Sequence, residues 1–256
     1  MFKKTILAVA MSALPILVWG ADVQLKVSGG DGSKDNPYLI SSAEDMVELA
    51  NACNTPQGGS TNGTNSAHYS GVYFKVTADI DFTDNQDFKG IAVAPAEYAP
   101  GTTWKFQGIF DGQGHKISGL KIDGIVLDAS GKAQTSGVNK SRNYVGLFGY
   151  LGEGASVSNI VLSDDCYISG YQYVGSISGY ADSNTSITNC TSMANVDAYD
   201  SYAGGIVARV SAATNKYTDI SSCYYGGTVR TCNQNVGGIV GQAGHANISM
   251  TDCVNA

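Results

Sequence analysis

One motif returns four times along this chain and constrains everything else about it. It reads Tyr144-Val-Gly-Leu-Phe-Gly149, Tyr173-Val-Gly-Ser-Ile-Ser178, Tyr202-Ala-Gly-Gly-Ile-Val207 and Asn235-Val-Gly-Gly-Ile-Val240. Its first glycines, Gly146, Gly175, Gly204 and Gly237, lie 29, 29 and 33 residues apart. A repeat of this length is one supersecondary unit stacked on copies of itself. Each copy carries a second beat downstream, at Val157 and Ile160, Ile187 and Cys190, Ile220 and Cys223, and Met250 and Cys253. A third follows at Ile168, Val196 and Val229. These apolar pieces are short, β-branched and broken by Gly, Ser, Asn and Asp, which favours strands over helices. Three short strands per coil, each paired in parallel with the next coil about 4.8 Å away, predict an all-β, right-handed parallel β-helix (a solenoid). The glycines are expected at its corners, where the backbone bends or takes positive φ.

Other repeat folds fit less well. A leucine-rich repeat needs its leucine ladder, a propeller blade is longer, and 32 glycines without an apolar stripe of helical period exclude helical repeats. With 14% charged residues and a formal charge of −7, the chain has the usage of an extracellular β protein. No cluster of Lys and Arg offers a phosphate-binding surface, so nucleic acid is not an expected partner.

The first 20 residues read as a secretory signal peptide. Lys3 and Lys4 form its basic start, Ile6 to Val18 its apolar stretch, and Val18 and Gly20 suit the small positions before a cleavage at Ala21. The stretch is too short for a membrane span. Secretion or display on the outer cell surface is therefore expected. All six cysteines lie beyond this segment. An even count in a secreted chain invites disulfides, but Cys190, Cys223 and Cys253 share one repeat position with Ile160, which favours one internal column of buried thiols. Cys53, Cys166 and Cys232 follow no such pattern.

Residues 21–142 precede the regular copies. Tyr38-Leu-Ile40 reads as a first strand. Ser41 or Ser42 as cap and the acidic start of Ala43-Glu-Asp-Met-Val-Glu-Leu-Ala-Asn51 read as a short helix that covers the open end of the stack. Gly71–Val76 and Ala78–Phe82 read as strands. Phe106–Ile122 reads as two strands around an Asp111-Gly-Gln-Gly114 turn, residues 83–103 as an insertion and 123–142 as a surface loop. The regular units occupy 143–256 and stop partway through a coil, which suggests a longer parent chain or an uncapped coil open to self-association.

The segments NPYLISSAEDMVELAN, FKVTADIDF, FQGIFDGQGHKISGLKI and YVGLFGYL through VGGIVGQAG together resemble the GLUG-motif proteins, secreted or surface repeat proteins of Bacteroidetes. The resemblance spans nearly the whole chain after the signal segment. It implies a parallel β-helix with an adhesin-like role, and related repeats accompany the catalytic domains of secreted metallopeptidases that cleave immunoglobulin A. It supplies no catalytic residue. The match departs from the pattern at Ser176 and Ser178.

Candidate chemistry is sparse. Asp79 and Asp81 flank Ile80 and would share one strand face, as the carboxylate pair of a pectin-degrading hydrolase does; the alternative is a pair of solvent-facing acids beside a turn. Asp111 and His115 could pair, though the intervening glycines are explained by the turn itself. Asp31, Ser33 and Asp35 alternate like the start of a calcium loop, but Asn36 and Pro37 follow where glycine is wanted. His68, His115 and His245 are scattered, HExxH is absent, and neither a metal nor a cofactor is implied. The remaining signal is the tyrosine column Tyr144, Tyr173 and Tyr202, with Tyr171, Tyr199, Tyr224 and Tyr225 nearby. Facing out, it is a platform for sugar rings or a protein partner; facing in, it is an aromatic ladder that holds the coils together.

The reading is a non-enzymatic adhesion module for host glycans or proteins, with Tyr144, Tyr173 and Tyr202 as its candidate ligand-binding residues and no catalytic residue. The alternatives are a polysaccharide lyase or glycoside hydrolase on the same fold, in which Asp79, Asp81 or Asp111 would converge with Lys105, Lys116 or Lys121, and a passive stalk of a larger secreted enzyme.

Overall fold

The computed structural model of the protein describes residues 25–54, 66–93, 104–135, 141–244 and 247–256. The signal-peptide segment and His245 lie outside them. The described chain is a parallel β-helix. Every pairing between named strands is parallel, and the strands form five sheets of seven, six, six, four and four members.

A regular coil runs through Phe148–Leu151, Ser156–Ser158, Val161–Leu162, Tyr167–Gly170 and Gln172–Gly175 before Ser178–Ala181 starts the next. That is five short strands per coil, not three. The extra corners come from residues such as Asn159 (φ 55°) and Tyr173 (φ 57°), which kink the backbone between strands too short to show as separate apolar beats. The register follows the repeat: Val157 pairs with Ile187 and Ile187 with Ile220, and Ile168 pairs with Val196 and Val196 with Val229. The longer third spacing is absorbed at a turn, because Val210 pairs with Ala181 while Asp219 pairs with Ser186. The same logic corrects the reading of Phe106–Ile122. It holds Ile109–Asp111, Lys116–Ser118 and Lys121–Asp123, three strands in three different sheets rather than two strands around one turn.

Residues 38–53 stand at the N-terminal end of the described stack. Tyr38–Ile40 is the first strand of the seven-stranded sheet, and the helix Ala43–Cys53 follows where later coils carry other sheets. Ser42 caps the helix by accepting the Asp45 N–H. The Asp45 carboxylate accepts from the Ser41 N–H at 2.8 Å and the Ser28 hydroxyl at 2.6 Å. Met46, Leu49, Ala50 and Cys53 turn into the core that runs the length of the coil. Among the described residues no helix is long and apolar enough to cross a membrane.

That core is lined by stacked columns. Phe74, Phe106, Phe110 and Phe148 contact one another ring to ring near the N-terminal end. Ile160, Cys190 and Cys223 continue as a buried column with Cys253 partly buried at its end. None of the six cysteines is in a disulfide. Cys190 donates to the Thr188 carbonyl at 3.3 Å and Cys223 to the Ser221 carbonyl at 3.3 Å. Ser176 and Ser178, the departures from the repeat pattern, are fully buried and leave the register intact: Ser176 donates to the Gly205 carbonyl and Ser178 to the Tyr180 carbonyl at 2.8 Å. Exposure of the thiols differs sharply, which has a measurable consequence. In native protein a maleimide is expected to modify exposed Cys232 first and Cys253 more slowly. Cys53, Cys166, Cys190 and Cys223 should react only after unfolding. A mass-spectrometric time course checks this; rapid native labelling of Cys190 would refute the buried column.

Candidate functional site: an external tyrosine corner

The corner between the Gln172–Gly175 and Ser178–Ala181 strands carries the repeat motif. The repeat glycines stand at the corner, as expected, but of the two reasons given for them the positive φ does not apply. The left-handed positions are Tyr144, Tyr173, Tyr202 and Asn235, with φ of 55°, 57°, 65° and 61°. The glycine two residues on is needed for a different reason: a Cβ at Gly175 would lie 2.2 Å from the Ser178 carbonyl oxygen. The kink throws the tyrosine outward, while Val145, Val174 and Ala203 fill the interior.

Tyr144, Tyr173 and Tyr202 therefore form a column on the outside of the coil. It is also a ladder. Tyr144 and Tyr173 stack at 4.8 Å with planes 11° apart, and Tyr173 and Tyr202 at 4.6 Å and 4°. Parallel rings this close must overlap face on face. Their faces are thus spent on each other, and the column presents ring edges and hydroxyls to solvent, not a flat platform.

A second outward column packs beside it. The pairing register aligns Tyr150, Tyr180, Arg209 and Gln242, with Lys105 one rung earlier, since Phe106 pairs with Leu151. Tyr150 and Tyr180 stack at 4.5 Å, and Tyr180 meets Tyr144 edge-on at 5.8 Å. Lys105 Nζ lies 4.9 Å over the Tyr150 ring and 3.1 Å from Asp182 Oδ2, to which the Tyr150 hydroxyl donates at 3.4 Å. The Arg209 guanidinium sits 5.7–5.9 Å from the centroids of Tyr173, Tyr180 and Tyr202, and its Nη1 donates to the Tyr173 hydroxyl at 3.3 Å. Burial, then the neighbouring Asp182 charge, pushes the Tyr150 phenol well above its ordinary range, and burial raises Tyr144 as well. These two hydroxyls stay protonated at any physiological pH. The second column was missed in the sequence. Its signal was the recurrence of Tyr150 and Tyr180 at matching repeat positions, broken in the next coil by Arg209.

The other tyrosines divide. Tyr171 and Tyr199 stack at 6.2 Å at the next corner. Tyr225 is interior and donates to the Ala194 carbonyl at 3.0 Å. A groove of about 580 Å³ lies beside Tyr167, Tyr199, Arg230 and Cys232. On its wall Arg230 forks onto Asp197 at 2.7 and 2.9 Å, and Tyr167 donates to the same carboxylate at 2.9 Å. Its charges are thus mutually satisfied.

The carboxylate candidates act as turn and cap acceptors. Asp79 Oδ1 accepts the Lys116 N–H at 2.9 Å and lies 3.2 Å from His115 Nδ1. Asp81 Oδ1 accepts from the Thr83 hydroxyl at 2.6 Å and its N–H at 2.9 Å. These hydrogen bonds hold both carboxyls below the usual range, the reverse of what a general acid needs. Asp111 belongs to another feature: its Oδ1 accepts from Asn159 Nδ2, and Asn159 Oδ1 accepts from Asn189, an amide ladder along one corner. Lys105 sits with the tyrosines, and Lys121 pairs in register with Tyr167. Asp31, Ser33 and Asn36 close a turn on themselves, Ser33 N–H donating to Asp31 at 2.9 Å and Asn36 N–H to Ser33 at 3.1 Å. Among the described residues no group of three or more His, Cys, Asp or Glu side chains is placed to hold a metal.

No family model matches the chain. Over 138 residues it is 30% identical to a "Putative Gly-rich membrane protein" of Evansella cellulosilytica, covering 54% of this chain and 12% of that protein. Over 185 residues it is 29% identical to Halomucin of Haloquadratum walsbyi, covering 72% of this chain and 2% of that protein. The chain thus spans a small part of either relative. Among solved structures it is similar to a "putative immunoglobulin A1 protease" from Bacteroides ovatus, with a TM-score of 0.52 and 19% identity over 89% of this chain and 77% of that one. At that identity the likeness carries the fold, and the fold it supports is the parallel β-helix described above.

Proposed function

We propose that this is a secreted or cell-surface, non-enzymatic binding module of the GLUG-repeat kind, and that it presents the external tyrosine corner to extracellular glycans. The observation that carries the reading is a tyrosine kept at three successive left-handed positions on the outside of the coil. A left-handed backbone costs a residue with a Cβ about 1–2 kcal/mol, and an aromatic pair returns about 0.5–1.5 kcal/mol beyond area burial. Area burial adds to that return, so the stacked rings offset the backbone cost and also hold the coils together. Asn235 holds the same backbone in the next coil without a ring. Backbone strain held at a half-buried aromatic strip on the outer corner motivates a recognition role. Names of relatives from membrane and halomucin proteins accord with a surface location.

The neutral hydroxyl edge suits a polyhydroxyl ligand better than a protein partner, whose binding needs a buried apolar anchor. The test is binding of the protein to a glycan array and to immobilised mucin, before and after Tyr173→Asn. Asparagine tolerates the left-handed backbone but gives up two ring stacks, so the unfolding midpoint should fall modestly. In a variant shown to be folded by circular dichroism, affinity should fall about tenfold, worth about 1.4 kcal/mol. Absence of glycan binding, or a variant that binds unchanged, would overturn the proposal.

A further inference from the structure

Arg209 breaks the tyrosine column at its third coil, and its surroundings are unlike those of the cations that form ion pairs. Lys105 is neutralised by Asp182, Lys216 by Glu153 and Arg230 by Asp197. No ion pair to Arg209 occurs among the described residues; three tyrosine rings and one phenol oxygen surround it instead. A guanidinium has five N–H donors in a planar fork, and only one is engaged here. Its Nε is shielded from solvent and unbonded, and so is Oε1 of Gln242 on the next rung. Buried polar atoms without partners are uncommon and costly. Nη2 makes no hydrogen bond among the described residues and the residue is half-exposed, so an accepting group can meet the terminal guanidinium nitrogens directly and Nε once the rings beside it shift. Aromatic walls lower the local dielectric and strengthen any such pairing. In a chain of net charge −7, an uncompensated positive group on a recognition strip selects for charge rather than adding to a general field.

We infer that Arg209 is the specificity determinant of the tyrosine corner, and that its ligand is an anionic sugar whose carboxylate or sulfate takes the guanidinium fork. Tyr173 and Tyr202 edges would flank the sugar, and the Gln242 amide would meet a neighbouring hydroxyl. This inference rests on the glycan-binding reading above and narrows it to one chemical class.

The experiment is titration calorimetry of the whole chain at low salt. The probes are a sialylated trisaccharide, a trigalacturonate and a sulfated chondroitin disaccharide, each against a neutral oligosaccharide of equal length. At least one acidic probe is expected to bind tenfold or more tightly than its neutral counterpart, and added salt should erode that preference. Arg209→Gln should abolish the preference and leave weak neutral binding. Arg209→Lys, which keeps the charge and loses the fork, should retain only part of it, and serves if the Gln variant is poorly folded by circular dichroism. The carboxylate and sulfate arms identify which anion is read. Equal binding of acidic and neutral probes, or a preference that survives in folded Arg209→Gln, overturns the inference while leaving glycan binding in place. No sugar binding at all overturns both.

Discussion

Replacing Gly204 by alanine is expected to cost on the order of 3–5 kcal/mol and to uncouple the last coils from the rest. The added Cβ would stand 1.9 Å from the Val207 carbonyl oxygen and 2.9 Å from the Gly241 nitrogen. Both are backbone atoms of the corner and of the next rung, so no rotamer change relieves the clash. The only escape is to open the turn, and opening it breaks the Gly205-to-Gly237 hydrogen bond that carries the register forward. Stability in a solenoid is a sum of coil and interface terms. A broken interface should therefore appear as a split transition rather than a shifted single one. Urea unfolding followed by far-UV circular dichroism, with hydrogen exchange to locate the loss, checks this. Gly154→Ala is the control: that residue has φ 83° with open space around it, so it pays only the backbone cost of about 1–2 kcal/mol. A Gly204 variant no worse than this control would remove close approach as the reason for the repeat glycine.

Phe148→Ala is expected to cost about 3–5 kcal/mol. The ring is fully buried, 5.0 Å from Phe106 and 5.3 Å from Phe110, centroid to centroid. Its position in the next coil is Ser178, and in the one after that Val207. Phe148 thus fills volume that the coil above leaves open, and the neighbouring rungs cannot collapse into the cavity without losing their own pairing. Phe148→Leu should recover most of the loss. The denaturant midpoints of the two variants, with m-values compared to the parent, decide it. An alanine variant within about 1 kcal/mol of the parent would mean that the coil interior is loosely packed near its N-terminal end. By contrast Tyr180→Ala, on the outside, should cost less.

Much of this architecture was legible in the sequence, and the residues show why. Val157, Ile187, Ile220 and Met250 recur at the coil period, and each side chain had to meet its counterpart one rung away. Cys190 and Cys223 fell into the same interior column as Ile160 because a shared repeat position is a shared place in space. The Ser42 cap and the apolar face of Ala43–Cys53 are local signals, and the helix formed where they stand.

Other features had no local signal. Five strands per coil rather than three follow from corner dihedrals at residues such as Asn159 and Tyr173, which composition leaves open. The outward direction of Tyr144, Tyr173 and Tyr202 depends on which residue of Tyr-Val-Gly takes the kink. Either choice satisfies the same repeat. Their loss of free ring faces, and their company with Tyr180 and Arg209, arise from two sheets meeting at one corner. The repeat by itself determined the axis of the molecule and which side chains stack along it, because periodicity is a property of the chain. Only the tertiary structure decided what faces outward at the corner and what sits across from it, because that depends on how separate sheets pack around a common core.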